Sequence, residues 1–157
     1  MIEYRKAELS DLEELLALRI EFLMEASGSA NDAAAVEHIE ELRAENEDFI
    51  QEGFAEGCFV QWLAVADGRV VATGSASFYR LPPNGGCING KCAYIGNMYT
   101  RPAWRRQGMA EQILKNALSE AKSRGCRKVM LHATMMGRPL YVKLGFTDSA
   151  DDMVYKF

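Results

Sequence analysis

Two apolar segments, CAYIGNMYT and CRKVMLHAT, lie on either side of a long amphipathic stretch, and this order limits the folds open to the chain. From Met109 to Ala121 the apolar residues recur at the helical period, and Gly125 is well placed to end a helix there. A strand followed by a crossover helix and a second strand gives a parallel pair within one sheet. We therefore predict a parallel pair of strands covered by a helix in this half of the chain.

An antiparallel half precedes the parallel pair. Two strand-like runs between Cys58 and Arg80 are joined by Asp67-Gly68, which is the strongest short signal for a β-hairpin. Ser10 and Glu13 have the spacing of a capping box at the start of a first helix. The other predicted elements are a strand at residues 2–6, helices at 9–26 and 32–55 with an interruption near Gly53, a short helix at Met136–Leu144 and one or two final strands within 146–157. The prediction is an α+β fold in which about four helices flank a mixed central sheet.

The length and composition of the chain fit one folded domain, which we assign to residues 1–157. Apolar residues make up 48% of the sequence, enough for a core without disulfides. The apolar runs are shorter than the roughly 18–20 residues that a membrane helix needs. The N-terminal residues are charged and lack the apolar segment of a signal peptide. We therefore expect a cytoplasmic location and no membrane partner.

The cysteines and histidines do not have the spacing of a metal site. They are Cys58, Cys87, Cys92, Cys126, His38 and His132. None of the cysteines forms a CxxC pair, and the histidines do not complete a zinc-like pattern. We expect no bound metal, and thiols that stay reduced in the cytoplasm.

Charge is divided unevenly between the two parts of the chain. Residues 1–57 carry 4 Lys and Arg against 16 Asp and Glu, whereas residues 58–157 carry 14 against 6. The basic part has the charge to hold an anion, and the acidic part has the charge to attract a cationic ligand. The alternative is that the acidic helices are merely solvated.

The segment Arg101–Gln112, RPAWRRQGMAEQ, places three arginines before a glycine at the predicted start of the long helix. The first helical turn leaves about four N–H groups without partners, and the small residues Gly108 and Ala110 let a ligand approach them. The neighbouring arginines add charge-assisted donors. The segment therefore predicts an anion site suited to a diphosphate. The chain contains neither a P-loop nor a GxGxxG fingerprint, and its net acidic charge argues against nucleic acid.

Two motifs in this half of the chain resemble those of the GNAT superfamily of N-acetyltransferases. Arg105-x-x-Gly108-x-Ala110 is similar to its motif A, [QR]-x-x-G-x-[GA], and residues Tyr141–Phe146, YVKLGF, are similar to the end of its motif B. The predicted order of elements also matches over nearly the whole chain. The resemblance implies one GNAT domain with splayed parallel strands 4 and 5, and acetyl-CoA as the cosubstrate.

The resemblance also implies a role for individual residues. The implied cofactor-binding residues are Met98, Tyr99, Thr100, Arg105, Arg106, Gln107, Gly108, Met109, Ala110, Thr134 and Gly137. A bulge at Asn97 would separate the strands, and the Met98 amide would polarise the thioester carbonyl. Tyr141 would be the general acid that protonates the departing thiolate. The alternative for Tyr141 is an aromatic residue that only packs in the core.

The implied reaction is direct attack of a small-molecule or peptide amine on the acetyl group. The fourth strand has no carboxylate to act as general base, so Glu21, Glu25, Asp32, His132 and a water chain all stay open. The missing carboxylate also leaves a second class of function, a module that senses acyl-CoA without turnover. The resemblance places the acceptor near residues 27–34 and 82–91, and the acidic part of the chain favours a cationic amine. A homodimer is common in such proteins, but the sequence does not decide it.

Overall fold

The computed structural model describes residues 1–27, 38–149 and 151–157. Its sheet contains the strands β1 (Ile2–Lys6), β2 (Phe59–Ala66), β3 (Arg69–Arg80), β4 (Lys91–Thr100) and β5 (Lys128–Leu131). The described α-helices are α1 (Leu12–Ser27), α2 (Ile39–Glu56), α3 (Met109–Ser123) and α4 (Arg138–Lys143). Short 3₁₀ turns at Leu9–Asp11 and Pro102–Trp104 precede α1 and α3. None of these helices is long and apolar enough to cross a membrane.

The sheet has the order β1-β2-β3-β4-β5. The first three pairs are antiparallel, and β4 and β5 are parallel with α3 as the crossover between them. The predicted α+β fold with a mixed sheet is therefore confirmed.

The turn between β2 and β3 explains why this part of the chain forms a hairpin. Asp67 and Gly68 have φ angles of 50° and 74°. A two-residue turn that follows the twist of the strands needs positive φ at both positions, and Asp and Gly tolerate it. The hairpin predicted from this dipeptide is confirmed.

Helices cover both faces of the sheet. Buried leucines of α1 and Ile50 of α2 pack on one face, together with Leu63 and Tyr99. The apolar residues of α3 pack on the other face in two clusters, where they contact alanines of β2 and β3 and Ile95 of β4. The side chains that α3 buries are Met109, Ile113, Leu114, Ala117 and Ala121, as its sequence period predicts.

The parallel pair is short because β5 has only four residues, all of which pair with β4. Pairing between β4 and β5 runs from Cys92 and Lys128 to Ile95 and Leu131, and β4 then continues alone to Thr100. The predicted parallel pairing of strands 4 and 5 is confirmed, and their splay stays a prediction. Beyond Ile95 the edge of β4 is not paired with β5, and we call this part of the sheet, between β4 and the end of β5, the strand gap.

Two predictions about the helices are wrong. The capping interaction before α1 is made by Asp11, whose Oδ2 accepts the Glu8 N–H at 2.8 Å, and not by Ser10 and Glu13. Arg5 holds the Asp11 carboxylate at 2.7 Å, which fixes it at this turn. Helix α2 runs through Gly53 without interruption. A Cβ at Gly53 would lie 2.5 Å from Cβ of Phe59, so the glycine lets α2 pack closely against β2.

The final strands predicted within residues 146–157 are not formed in residues 146–149 and 151–157. Asp148, Ser149, Asp151 and Asp152 are residues that strands disfavour, and they separate the apolar residues that suggested strands. Met153, Val154, Tyr155 and Phe157 remain exposed.

Candidate active site

A bulge in β4 lies directly beyond the point where β5 stops pairing. Thr73 pairs with Tyr99 and Ser75 with Gly96, so Gly74 alone stands opposite Asn97 and Met98. Asn97 has a φ of 50°, which is the left-handed backbone expected of the extra residue in such a bulge. The bulge predicted at Asn97 is therefore present.

Met98 anchors the bulge from the α3 face of the sheet. A Cβ on Gly74 would lie 2.4 Å from the Met98 sulfur and 2.7 Å from Cγ2 of Ile113. The absence of a side chain at Gly74 thus lets Met98 pack under α3. With its side chain held there, the backbone of β4 is fixed at the strand gap.

The start of α3 offers a row of free backbone donors. Arg106 and Gly108 have left-handed φ angles of 64° and 82°, and the first helical hydrogen bond is donated by Gln112 to the Gly108 carbonyl. Within the described residues, the N–H groups of residues 106–111 donate to no protein acceptor. A left-handed turn that leads into a helix N-terminus concentrates such donors on an anion.

Gly108 is the residue that keeps this row accessible. A Cβ built on Gly108 would meet nothing within 4 Å, so the space beside its backbone is open. Met109 is buried and Ala110 half-buried, which anchors the first turn of α3 while Gly108 stays exposed. The backbone of this turn is therefore accessible, and the anion site there stays a prediction.

Two arginines of this segment, Arg101 and Arg105, pair with carboxylates of α1. Arg101 donates to both carboxylate oxygens of Glu21 at 2.9 and 3.1 Å. Arg105 pairs with Glu25, and its Nε donates to the Thr100 carbonyl at 2.9 Å. These two guanidinium groups therefore fasten the turn before α3 to α1.

Arg106 differs from its two neighbours. It is exposed and forms no ion pair with the described residues, which leaves its guanidinium available to a ligand. Of the three arginines in the segment Arg101–Gln112, Arg101 and Arg105 pair with carboxylates, whereas Arg106 has no carboxylate partner among the described residues.

Tyr99 completes the connection to α1. Its ring is 7% exposed and lies 5.6 Å from that of Phe22, and its hydroxyl donates to Glu25 at 3.2 Å. Burial, and then the hydrogen bond to Glu25, raise the pKa of Tyr99. The Tyr99 side chain thus belongs to the core under α1, and only its backbone lies at the strand gap.

Tyr141 lies at the other side of the strand gap. It is 8% exposed and packs in one cluster with Ile95 and Leu131, the last residues that pair between β4 and β5. Its hydroxyl forms no hydrogen bond with the described residues. Burial, with a smaller contribution from Tyr94, raises the pKa of Tyr141, so the hydroxyl keeps its proton at neutral pH.

Thr134 and Gly137 hold the turn that carries Tyr141. The Thr134 hydroxyl accepts the Gly137 N–H at 3.1 Å, and its carbonyl accepts the Arg138 N–H at 2.9 Å. A Cβ on Gly137 would lie 3.0 Å from Cε2 of Tyr141 and 3.3 Å from its hydroxyl oxygen. Gly137 therefore leaves the space that the Tyr141 phenol occupies.

The candidate general bases differ in their surroundings. Glu21 and Glu25 are already paired with arginines, and Asp32 lies outside the described residues. His132 is exposed and directly follows β5. The strand ends at Leu131, before the histidine can enter the sheet.

Sequence reasoning missed Tyr94 and Ser75, and it did not foresee that Glu21 and Glu25 pair with arginines. Tyr94 precedes the bulge and affects the titration of Tyr141, while Ser75 Oγ donates to the Gly96 carbonyl at 3.0 Å. Glu21 and Glu25 are four residues apart, as are Arg101 and Arg105, and this matched spacing was a usable signal. Of the two predicted acceptor segments, residues 82–91 are described, whereas 28–34 are not. No three His, Cys, Asp or Glu side chains come together as a metal site in the described part of the chain.

The sequence matches the profile of the acetyltransferase (GNAT) family over residues 20–146. The Oryza sativa subsp. japonica protein named "Probable glucosamine 6-phosphate N-acetyltransferase 2" is 30% identical over 94 residues. That match spans 60% of this chain and 55% of the relative, so it covers about half of the relative's length.

Solved structures extend the similarity to the whole fold. A predicted acetyltransferase from Clostridium acetobutylicum, crystallised with acetyl-CoA, is 30% identical with a TM-score of 0.87, over 99% of this chain and 96% of that one. A GCN5-related N-acetyltransferase from Ralstonia eutropha JMP134 is 26% identical with a TM-score of 0.87, over 100% and 99%. The family profile and the parallel pairing of β4 with β5 in a mixed sheet agree. The chain belongs to the acetyltransferase (GNAT) family.

Proposed function

We propose that this chain is an acetyl-CoA-dependent N-acetyltransferase that moves the acetyl group to an amine by direct attack. The observation that carries the proposal is that pairing between β4 and β5 ends at Ile95 and Leu131 while β4 continues to Thr100. This leaves β4 unpaired with β5 between the buried Tyr141 and the free N–H groups at the start of α3. A relative of the same fold, 30% identical to this chain, holds acetyl-CoA in its crystal structure.

The residues before and within the first turn of α3 fit a diphosphate. The N–H groups of residues 106–111 have no protein acceptor among the described residues, and the space beside Gly108 is open. Arg106 adds a guanidinium without a carboxylate partner in the described chain. These groups would hold the phosphates of acetyl-CoA, and the strand gap would take its pantetheine arm, beside the backbone of Met98, Tyr99 and Thr100.

Met98 would act through its backbone. The bulge interrupts the ladder between β3 and β4 at this residue, and β5 has already ended. An amide fixed in this way can donate to the thioester oxygen as negative charge develops on it, without reorganising during the reaction.

Tyr141 would donate a proton to the thiolate that leaves. Its pKa is raised by burial, so the phenol is protonated at neutral pH, and its hydroxyl has no partner among the described residues that would compete. A positioned acid of this kind contributes about 10²–10⁴-fold to a rate.

The acceptor is an amine that must reach the strand gap in its neutral form. Exposed carboxylates lie along α2, whereas Glu21 and Glu25 near the anion site are paired with arginines. The acidic surface of α2 favours a cationic amine by attraction over distance, and a water molecule would carry away its proton.

The test is turnover of acetyl-CoA with a panel of amines that contains spermidine, an aminoglycoside, a lysine peptide and glucosamine 6-phosphate. We expect turnover with higher kcat/KM for the cationic amines. Tyr141→Phe should lower kcat about a hundredfold while its affinity for CoA is retained. Tyr155→Phe, at an exposed residue, is the matched control and should leave kcat unchanged.

Two results would contradict the proposal. An unchanged kcat in Tyr141→Phe would show that Tyr141 is not the general acid. Tight binding of CoA without turnover of any amine would favour a sensor of acyl-CoA instead.

A further inference from the structure

The side chain of Asn97 has a buried oxygen with no donor. Its Oδ1 is excluded from solvent and accepts no hydrogen bond in the described part of the chain. Buried acceptors are nearly always paired, and an unpaired one destabilises the folded state. The oxygen therefore requires an explanation.

The backbone of Asn97 does not supply that explanation. A φ of 50° suits glycine and asparagine, so the bulge restricts the residue type at this position. Glycine would meet this requirement without burying an acceptor. Asp67 also has a φ of 50° in the β2–β3 turn, but it is exposed, so its side chain stays in water.

The location of Asn97 suggests what the oxygen is for. The residue is the second after Ile95, where pairing with β5 ends, and it directly precedes Met98, whose amide we assign to the thioester. Any molecule that enters the strand gap beside Met98 also passes Asn97. A ligand can thus supply the donor that the protein does not.

We propose that Asn97 is a substrate-binding residue whose Oδ1 accepts a hydrogen bond from a substrate N–H group in the strand gap. This inference rests on the proposed function. A carbonyl oxygen accepts but does not donate, so the ionised phosphates and the thioester carbonyl are excluded as partners. The groups that remain are the amide N–H of the pantetheine arm and the N–H of the acceptor amine.

The experiment compares Asn97→Gly with Asn97→Asp. Glycine keeps the left-handed backbone and removes the oxygen, whereas aspartate keeps both an oxygen acceptor and the tolerance of positive φ. Asp67→Gly is the matched control, since it makes the same backbone change away from the strand gap. Thermal unfolding of each variant establishes that it is folded.

The experiment distinguishes an N–H group of the pantetheine arm from one of the acceptor amine. If the N–H group belongs to the pantetheine arm, Asn97→Gly raises the Kd for CoA about tenfold. If it belongs to the amine, the Kd for CoA stays unchanged and the KM of the best amine in the panel rises about tenfold. Either result supports the proposal when Asn97→Asp retains most of the binding and Asp67→Gly all of it.

The proposal is overturned if Asn97→Gly changes neither constant, or if Asp67→Gly weakens binding as much. These outcomes are separate from failure of the proposed function. A wild-type chain without turnover would end the acetyltransferase assignment, and the affinity for CoA alone would then decide the role of Asn97. An unchanged affinity in that case also overturns it.

Discussion

Gly108 and Asn97 both have left-handed backbones at the site, but for different reasons. Beside Gly108 the space is open, and the lack of a side chain leaves its backbone accessible. Asn97 has a side chain whose buried oxygen finds no donor among the described residues. In our proposals Gly108 gives a ligand access to the backbone, and Asn97 supplies a side-chain acceptor.

The substitution Gly108→Ala tests whether a side chain blocks the approach of CoA to the backbone or only strains the left-handed turn. Gly57→Ala is the matched control, because Gly57 has a φ of 67° and likewise has nothing within 4 Å of an added Cβ. Both substitutions should lower the free energy of unfolding by about 1–2 kcal/mol, since both force alanine into left-handed backbone. Only Gly108→Ala should also weaken CoA binding, by at least about tenfold, as measured by titration calorimetry. Equal losses of affinity in the two variants would show that strain alone is responsible.

Two ion pairs connect α1 to the turn before α3, and they contribute unequally to the stability of the fold. Glu21 pairs with Arg101 alone, near the surface. Glu25 pairs with Arg105 and also accepts from the hydroxyl of Tyr99, a residue that is mostly buried. The loss of an acceptor for a buried hydroxyl costs more than the loss of an exposed ion pair.

Chemical denaturation can compare the two pairs. Glu21→Ala should lower the free energy of unfolding by about 0.5 kcal/mol, and Glu25→Ala by about 1–2 kcal/mol. In a Tyr99→Phe background the hydroxyl is gone, so Glu25→Ala should then cost no more than Glu21→Ala. If the excess cost of Glu25→Ala persisted in that background, the hydrogen bond from Tyr99 would not be its cause.

Elements with strong local signals were predicted well. Asp67-Gly68 determines its hairpin through two adjacent φ angles, and the period of α3 determines its buried face. Similarly, Arg105-x-x-Gly108-x-Ala110 located the free N–H groups because a helix start is a local property. The partners of Arg101 and Arg105 have no local signal, since Glu21 and Glu25 are separated from them by 80 residues, and only the matched four-residue spacing of the two pairs pointed to them.

Several elements of the fold are connected by ion pairs whose carboxylates have lowered pKa values. Hydrogen bonds from Arg5 and Lys6 lower the pKa values of Asp11 and Glu120, which connect β1 to the start of α1 and to α3. Lys115, and then Lys143 from α4, lower the pKa of Glu111 to about 2. A lowered pKa means that the folded state favours the charged form, so stability is greatest above the unfolded pKa values of 3.8 and 4.5.

We therefore expect the free energy of unfolding to be nearly constant from pH 7 to about 5 and to decrease as the pH falls from about 4.5 to 2. Denaturation at a series of pH values measures this directly. Glu120→Gln should make the decrease shallower, because one of the shifted carboxylates is removed. A loss of stability that began above pH 6 would contradict the assignment to these groups.

The two ion pairs between α1 and the turn before α3 also have a consequence for the order of folding. Each joins residues 80 positions apart, with the carboxylates in the part of the chain that is synthesised first. Helix α1 therefore leaves the ribosome before the partners of Glu21 and Glu25 have been synthesised. About half of the chain must still be made before Arg101 and Arg105 emerge. The turn before α3 cannot reach its final shape until then. Its assembly should be a late event, and a nascent chain that ended before residue 101 would contain β1 to β4 but neither α3 nor β5, and so would lack the turn that we propose binds acetyl-CoA.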